Sequence, residues 1–232
     1  MSETVTLETS GDVAVLRLDD GKANALGPPV LDAINVALDQ VEESGQALLL
    51  TGRPNRFSAG FDLGVMREGG PEAGRAMVTA GGRLAIRLGR LSVPVVIACN
   101  GHALAMGAVL LMAADHRVGS AGDFKVGFNE VAIGMTTPLF LLELARERMS
   151  KRHFLRGTVE AEVYGPDEAI DAGFFDEVVA AEANFETALA AAERLGKLPR
   201  KPFLNTRARA RGGLLDEIER GLEADVAKAF PA

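Results

Sequence analysis

The sequence predicts an α/β fold, and three observations carry that reading. Short apolar runs recur between longer amphipathic stretches, and Gly- and Pro-containing turns bound the runs. The 232-residue chain is also 47% apolar, enough for one sizeable core. Strands that alternate with helical stretches argue for stacked βαβ units.

Taken in order, residues 4–18 alternate in polarity and break at Gly11-Asp12, which predicts a hairpin of strands 4–8 and 13–18. A loop follows from Asp19 to Leu26, and Pro28-Pro29 open an amphipathic helix over 30–44. Residues 47–51 read as a buried strand. The loop 52–63 has small residues at its tip and is flanked by arginine, which suits close approach to a ligand. Residues 66–72 are Gly-rich and charged, so a mobile surface segment is expected there, ahead of a helix over 76–91. Strands are expected at 93–98, 115–120 and 123–128, and Thr137-Pro138 start a helix to residue 149. Beyond Lys151 the pattern is almost wholly helical. It has a start at Pro166-Asp167-Glu168, a short strand at 177–179 and an amphipathic helix over 214–230 that packs on the core or on another subunit.

The net charge of −7 is spread along the chain with no aromatic-basic interleaving, which argues against nucleic acid as a partner. The apolar runs are too short to span a bilayer, and residues 1–8 lack the basic start and apolar stretch of a signal peptide, so a cytoplasmic protein with no membrane partner is expected. Cys99, the single cysteine, excludes an internal disulfide and reads as a small core side chain. With His102, His116 and His153 in unrelated contexts, no metal site is expected.

Residues 97–112 read as a buried strand, a tight loop at Asn100-Gly101 and the start of a buried helix. The first turn of such a helix carries N–H groups without intrahelical partners, and its dipole favours negative charge. Two readings stand here: a backbone anion site, or a Gly/Ala-rich loop that lets a helix pack closely on a sheet.

Four blocks bear on the choice. They are Lys22-Ala23-Asn24-Ala25-Leu26, Phe57-Ser58-Ala59-Gly60-Phe61-Asp62-Leu63, Gly101-His102-Ala103-Leu104-Ala105-Met106-Gly107 running on to Asp115, and Gly127-Phe128-Asn129-Glu130-Val131-Ala132-Ile133-Gly134. In this order and spacing they resemble the crotonase superfamily, the acyl-coenzyme A hydratases and isomerases, and residues 164–179 echo a later family segment. The resemblance implies a spiral of ββα repeats over 1–175 and a helical C-terminal region over 176–232 that assembles trimers, often paired into hexamers. By position it implies that the backbone N–H groups of Phe61 and Met106 form an oxyanion hole. Met106 stands where the family usually has Gly. The coenzyme A moiety would lie along Lys22, Ala23 and Ala25 and along Ser58, Ala59 and Asp62, with Lys22 either facing phosphate or simply solvated. Met66 and Val109 would line an apolar acyl pocket. No cofactor is implied, since the coenzyme A thioester is itself the substrate.

Family hydratases use two glutamates. The second position is Glu130; the first, three residues beyond Met106, is Val109, which cannot transfer a proton. Losing such a group typically costs about 10² to 10⁴ in rate. One glutamate suffices to move a double bond from the 3 to the 2 position, and family isomerases that keep only the second glutamate resemble this pattern. The apolar neighbours Phe128, Val131 and Ile133 would raise the Glu130 pKa toward a useful value. Glu130 as a structural cap, hydration with a non-standard acid/base set, and a non-catalytic acyl-CoA binder are the competing readings. His102, Asn129, Thr136, Thr137 and Glu143 are further polar residues near these motifs, and Asp115 reads as an architectural hydrogen-bonding residue.

Overall fold

The computed structural model describes residues 4–230. Its elements fall into ββα units. β1 (Val5–Ser10), β2 (Val13–Leu18) and the two-residue β3 (Ala25–Leu26) precede α1 (Pro28–Ser44). β4 (Ala47–Thr51), β5 (Asn55–Ser58) and β6 (Gly60–Phe61) precede α2 (Leu63–Arg90). β7 (Val95–Cys99) and β8 (Gly101–Leu104) precede α3 (Met106–Ala113). β9 (His116–Ser120) and β10 (Val126–Gly127) lead through a 3-10 turn at Val131–Ile133 to α4 (Leu139–Arg148). Then come α5 (Lys151–Thr158), α6 (Pro166–Ala172), β11 (Glu177–Val179), α7 (Asn184–Gly196) and α8 (Arg200–Ala229).

From β4 on, each repeat adds one strand to each of two sheets, and β3 pairs with β6 in a third. The larger sheet has the order β1-β2-β4-β7-β9-β11, parallel throughout except for the β1–β2 hairpin. The second strands of the repeats form a smaller parallel sheet in the order β10-β8-β5. Central parallel strands are covered on both faces, so they read as unbroken apolar runs. Every residue of β4 and β7 is buried, as that rule requires. One face packs on the main core, to which α1 contributes Leu31, Ile34, Leu38 and Val41 at helical spacing. The other face, with Val13, Val15, Leu49, Val96 and Val118, is closed by Ala188, Ala191 and Ala192 of α7.

The final segment does more than 214–230 predicts. α8 turns Arg207, Arg211, Leu215, Ile218, Leu222 and Val226 inward, so its inward stripe begins with two arginines. Arg207 pairs with Asp115 at 2.7 Å and donates to the Val93 and Leu91 carbonyls. Arg211 pairs with Glu147 at 2.8 Å and donates to the carbonyls of Met112 and Ala113, where a cation is favoured at the C-terminal end of α3. Within the expected C-terminal region, residues 176–230 therefore supply β11 to the larger sheet, a helix to its outer face and a helix along α2.

Several sequence expectations are corrected. The loop 52–63 contains β5 and β6, and β8 lies between the turn at Asn100-Gly101 and the buried helix, because these short strands pair across repeats with little alternation of their own. Residues 66–72 belong to α2, which bends only at Gly70 (φ 68°, ψ −167°), just before Pro71. The strand expected over 123–128 contracts to Val126–Gly127, and the helix expected at Thr137 begins after Pro138.

Candidate active site

The site is built where β6, the first turn of α3 and the 3-10 turn after β10 converge. β6 runs parallel to β3, with Leu26 opposite Phe61. Gly60 at φ +90° lets that strand press against α3: a side chain there would come within 2.7 Å of Ala105 Cβ, with Met106 N 3.1 Å away. Gly107 faces the same constraint, since a Cβ would meet the Ser58 carbonyl oxygen at 2.5 Å. The strand that carries Phe61 and the turn that carries Met106 are thus held in close contact.

Ala105 caps α3 at φ 49° and ψ −124°, a conformation that costs a non-glycine residue about 1–3 kcal/mol. Its own N–H donates to the Gly127 carbonyl at 3.0 Å, which fixes the turn. The first helical bonds run from the N–H groups of Ala108 and Val109 to the Ala105 carbonyl, so those of Met106 and Gly107 precede the intrahelical ladder. The rest of α3 is fully buried, Val109 included.

Beside this turn lies a cleft whose empty space, open mouth included, is about 590 Å³. Phe61, Ala105, Met106, Val109, Asn129 and Glu130 all line it. Leu63 and Val78 of α2, Phe140 and Leu141 of α4, and Phe230 complete an apolar wall. Among the described lining residues Glu130 carries the one ionisable side chain. It is 7% exposed, and Oε2 has no hydrogen-bond partner. Burial pushes its carboxyl up to about 7, against the backbone N–H groups of Glu130 and Asn129 that favour the charged form. A carboxyl so placed titrates in the range useful to a general base. Asn129 leaves its buried Oδ1 without a partner as well.

The loop expected to meet coenzyme A is held by Asp20, which the sequence reading passed over. Its Oδ1 accepts from the N–H groups of Lys22 (2.7 Å) and Asn24 (2.9 Å), and its Oδ2 from that of Ala25 (3.1 Å). Burial opposes the charge of Asp20, but these N–H groups outweigh it and hold the carboxyl below its ordinary value. Asn24 ties the loop to the neighbouring repeats by donating to the carbonyls of Leu18, Arg56 and Phe57. The Ala59 N–H donates to the Ala23 carbonyl, and Ala59 also lines the cleft. Lys22 is exposed, and its carbonyl accepts from Arg53.

Two side chains in the expected coenzyme A set are engaged in the fold. The Ser58 hydroxyl donates to the Asn24 carbonyl and accepts from the Gly60 N–H, while Asp62 Oδ1 caps α2 by accepting from the Gly64 N–H. Met66 does not reach the cleft. The bend at Gly70 turns the first part of α2 so that Met66 packs over Gly74. His102 accepts from the Lys125 N–H through Nδ1, Glu143 pairs with Arg146, and Thr136 and Thr137 are not among the lining residues. Asp115 accepts from the Val95 N–H and pairs with Arg207, the architectural part its position suggests. The apolar wall from Val78, Phe140, Leu141 and Phe230 carries no local signal in the sequence, because it is assembled from three distant helices.

The comparisons with known proteins agree with this geometry. Residues 8–227 match the family model described as enoyl-CoA hydratase/isomerase. The chain is 30% identical to the short-chain-enoyl-CoA hydratase of Clostridium acetobutylicum, over 97% of this chain and 85% of that protein. Among solved structures, an enoyl-CoA hydratase/isomerase family protein from Pseudomonas syringae superposes with a TM-score of 0.95 at 41% identity, covering 97% of this chain and 98% of that one. Human mitochondrial delta3-delta2-enoyl-CoA isomerase superposes with a TM-score of 0.93 at 27% identity, covering 98% and 91%.

Proposed function

The chain belongs to the enoyl-CoA hydratase/isomerase family, whose crotonase fold it has, and within that family we propose that it isomerises 3-enoyl-CoA to 2-enoyl-CoA with Glu130 as its one acid/base group. The observation that carries this reading is the composition of the cleft, which pairs a single buried carboxyl with apolar Val109 at the position where a second would stand. Hydration requires a base for water and an acid for the α-carbon; isomerisation requires one group that takes a proton and returns it.

The Glu130 carboxylate removes a proton from C2 of the 3-enoyl thioester, and the electron pair moves onto the thioester oxygen to give a dienolate. The N–H groups of Phe61 and Met106 receive that oxyanion. Two such preorganised donors in a water-poor site are each worth about 3 kcal/mol of transition-state stabilisation. Protonated Glu130 then delivers the proton to C4, which leaves the double bond between C2 and C3. The acyl chain lies along Phe61, Met106 and Val109, and coenzyme A along Lys22, Ala23, Ala25 and Ala59. Assembly into a homotrimer or hexamer belongs to the same proposal, supported by apolar Leu155, Val159 and Val163, which stand exposed on the subunit surface.

The test is turnover of 3-hexenoyl-CoA by the purified protein and by Glu130→Gln. The wild type forms the conjugated thioester, and the variant loses about 10² to 10⁴ in rate, as expected for removal of a positioned proton-transfer group. A variant that retains wild-type turnover would overturn the assignment.

A further inference from the structure

We infer that Gly81 on α2 sets the length of acyl chain the cleft accepts, by giving the Phe61 ring a place to lie back against the helix; the inference rests on the acyl-CoA reading above.

Gly81 is buried in the middle of a helix, where glycine is an unfavourable choice relative to alanine. Something must use the missing side chain. A Cβ at this position would lie 2.3 Å from Phe61 Cζ and 2.6 Å from Cε1, with Met106 Sδ at 3.3 Å. The ring therefore rests against bare helix backbone, and Met106 closes the neighbouring space. Phe61 and Met106 are also the two residues whose N–H groups are read as the oxyanion donors, so their side chains begin at the reacting end of the substrate. Each is far larger than a residue chosen only for its backbone needs to be.

Gly81 bounds the ring on the helix side, Met106 Sδ lies close to the same spot, and Phe61 lines the cleft. The adjacent Gly82 cannot yield, because Leu222 and Phe140 already occupy the space above it, at 2.6 and 3.2 Å from where its own Cβ would stand. A side chain at position 81 displaces the Phe61 ring from the helix face, and the cleft that Phe61 lines is the open space beside it. The space it takes is space for acyl carbons beyond the thioester, while the thioester and coenzyme A ends are untouched.

Binding of saturated acyl-CoAs tests this independently of which reaction is catalysed. Calorimetric titration of wild type and Gly81→Ala with butanoyl-, octanoyl- and dodecanoyl-CoA is expected to leave the shortest ligand within about twofold, and to weaken the longest chain that the wild type binds by about tenfold or more, the usual effect of removing room for a methylene in an apolar pocket. The double variant Phe61→Ala, Gly81→Ala removes the overlapping ring and is expected to recover the long chain. Equal losses for all three ligands, no loss, or a double variant that fails to recover would overturn the inference. If Gly81→Ala does not fold, the double variant decides. Recovery of a folded, long-chain-binding protein supports the ring's role, and continued misfolding assigns Gly81 to helix packing instead. A wild type that binds none of the three would contradict the acyl-CoA reading itself rather than the role of Gly81.

Discussion

Replacing Glu130 by glutamine should make the protein more stable at alkaline pH, where the wild type is most active. The carboxyl is buried with one oxygen unpartnered, and burial raises it from 4.5 to about 7. At about 1.4 kcal/mol for each pH unit, this corresponds to about 3 kcal/mol withheld from folding when the group must ionise. The sign follows from linkage. The folded state binds this proton more tightly than the unfolded chain, so the stability of the wild type is highest below pH 4.5 and falls as pH rises through 7 on account of this residue. Glutamine keeps the shape and removes the ionisation. Urea unfolding of both proteins from pH 4.5 to 8.5 should give curves that start close together and diverge between 5 and 7, with Glu130→Gln ahead by up to about 3 kcal/mol at the alkaline end. A gap that is absent at pH 8.5, or one that opens toward acid, would refute the reasoning, because it would mean that the carboxylate is well solvated or paired in the folded state.

Other outcomes follow from the same geometry. The kcat/KM of the wild type should rise with pH and reach half its plateau near 7, since the base must be deprotonated; a profile flat from pH 5 to 9 would count against Glu130. Gly107→Ala should lower kcat by about 10²-fold with little change in the fold measured by circular dichroism, because a Cβ 2.5 Å from the Ser58 carbonyl pushes the end of β5, and β6 just beyond it, away from α3 and displaces the paired N–H groups. Val109→Glu should introduce measurable hydration of 2-butenoyl-CoA while lowering Tm, since a second carboxyl enters a wholly buried helix face. Arg207→Ala should cost about 3–5 kcal/mol in denaturant unfolding, because it strands Asp115 and two carbonyls in the interior.

The sequence was most legible where packing is simplest. Strands buried on both faces announce themselves as apolar runs, so Ala47–Thr51 falls where composition puts it. The smaller sheets were hidden because β5, β6 and β8 are two to four residues long and are stabilised by partners tens of residues away. The first half of α8 was hidden for a different reason. Its inward positions 207 and 211 continue the spacing of Leu215 and Ile218, but they carry arginines that satisfy buried carbonyls and carboxylates, so no apolar stripe is visible. At the site, the residues that act through backbone or charge lie in contiguous motifs and could be named in advance. Gly81, Phe140 and Phe230 could not, since what they do depends on three helices meeting around one cleft.

The central claim is that a cleft with one carboxyl performs proton shuttling and not hydration. The most direct measurement offers the same preparation 3-hexenoyl-CoA and 2-hexenoyl-CoA in parallel and compares initial rates of isomerisation and of 3-hydroxyacyl-CoA formation. With Val109 in place of a second acid/base group, isomerisation should exceed hydration by about 10²-fold or more. Hydration as fast as isomerisation, or faster, would contradict the account.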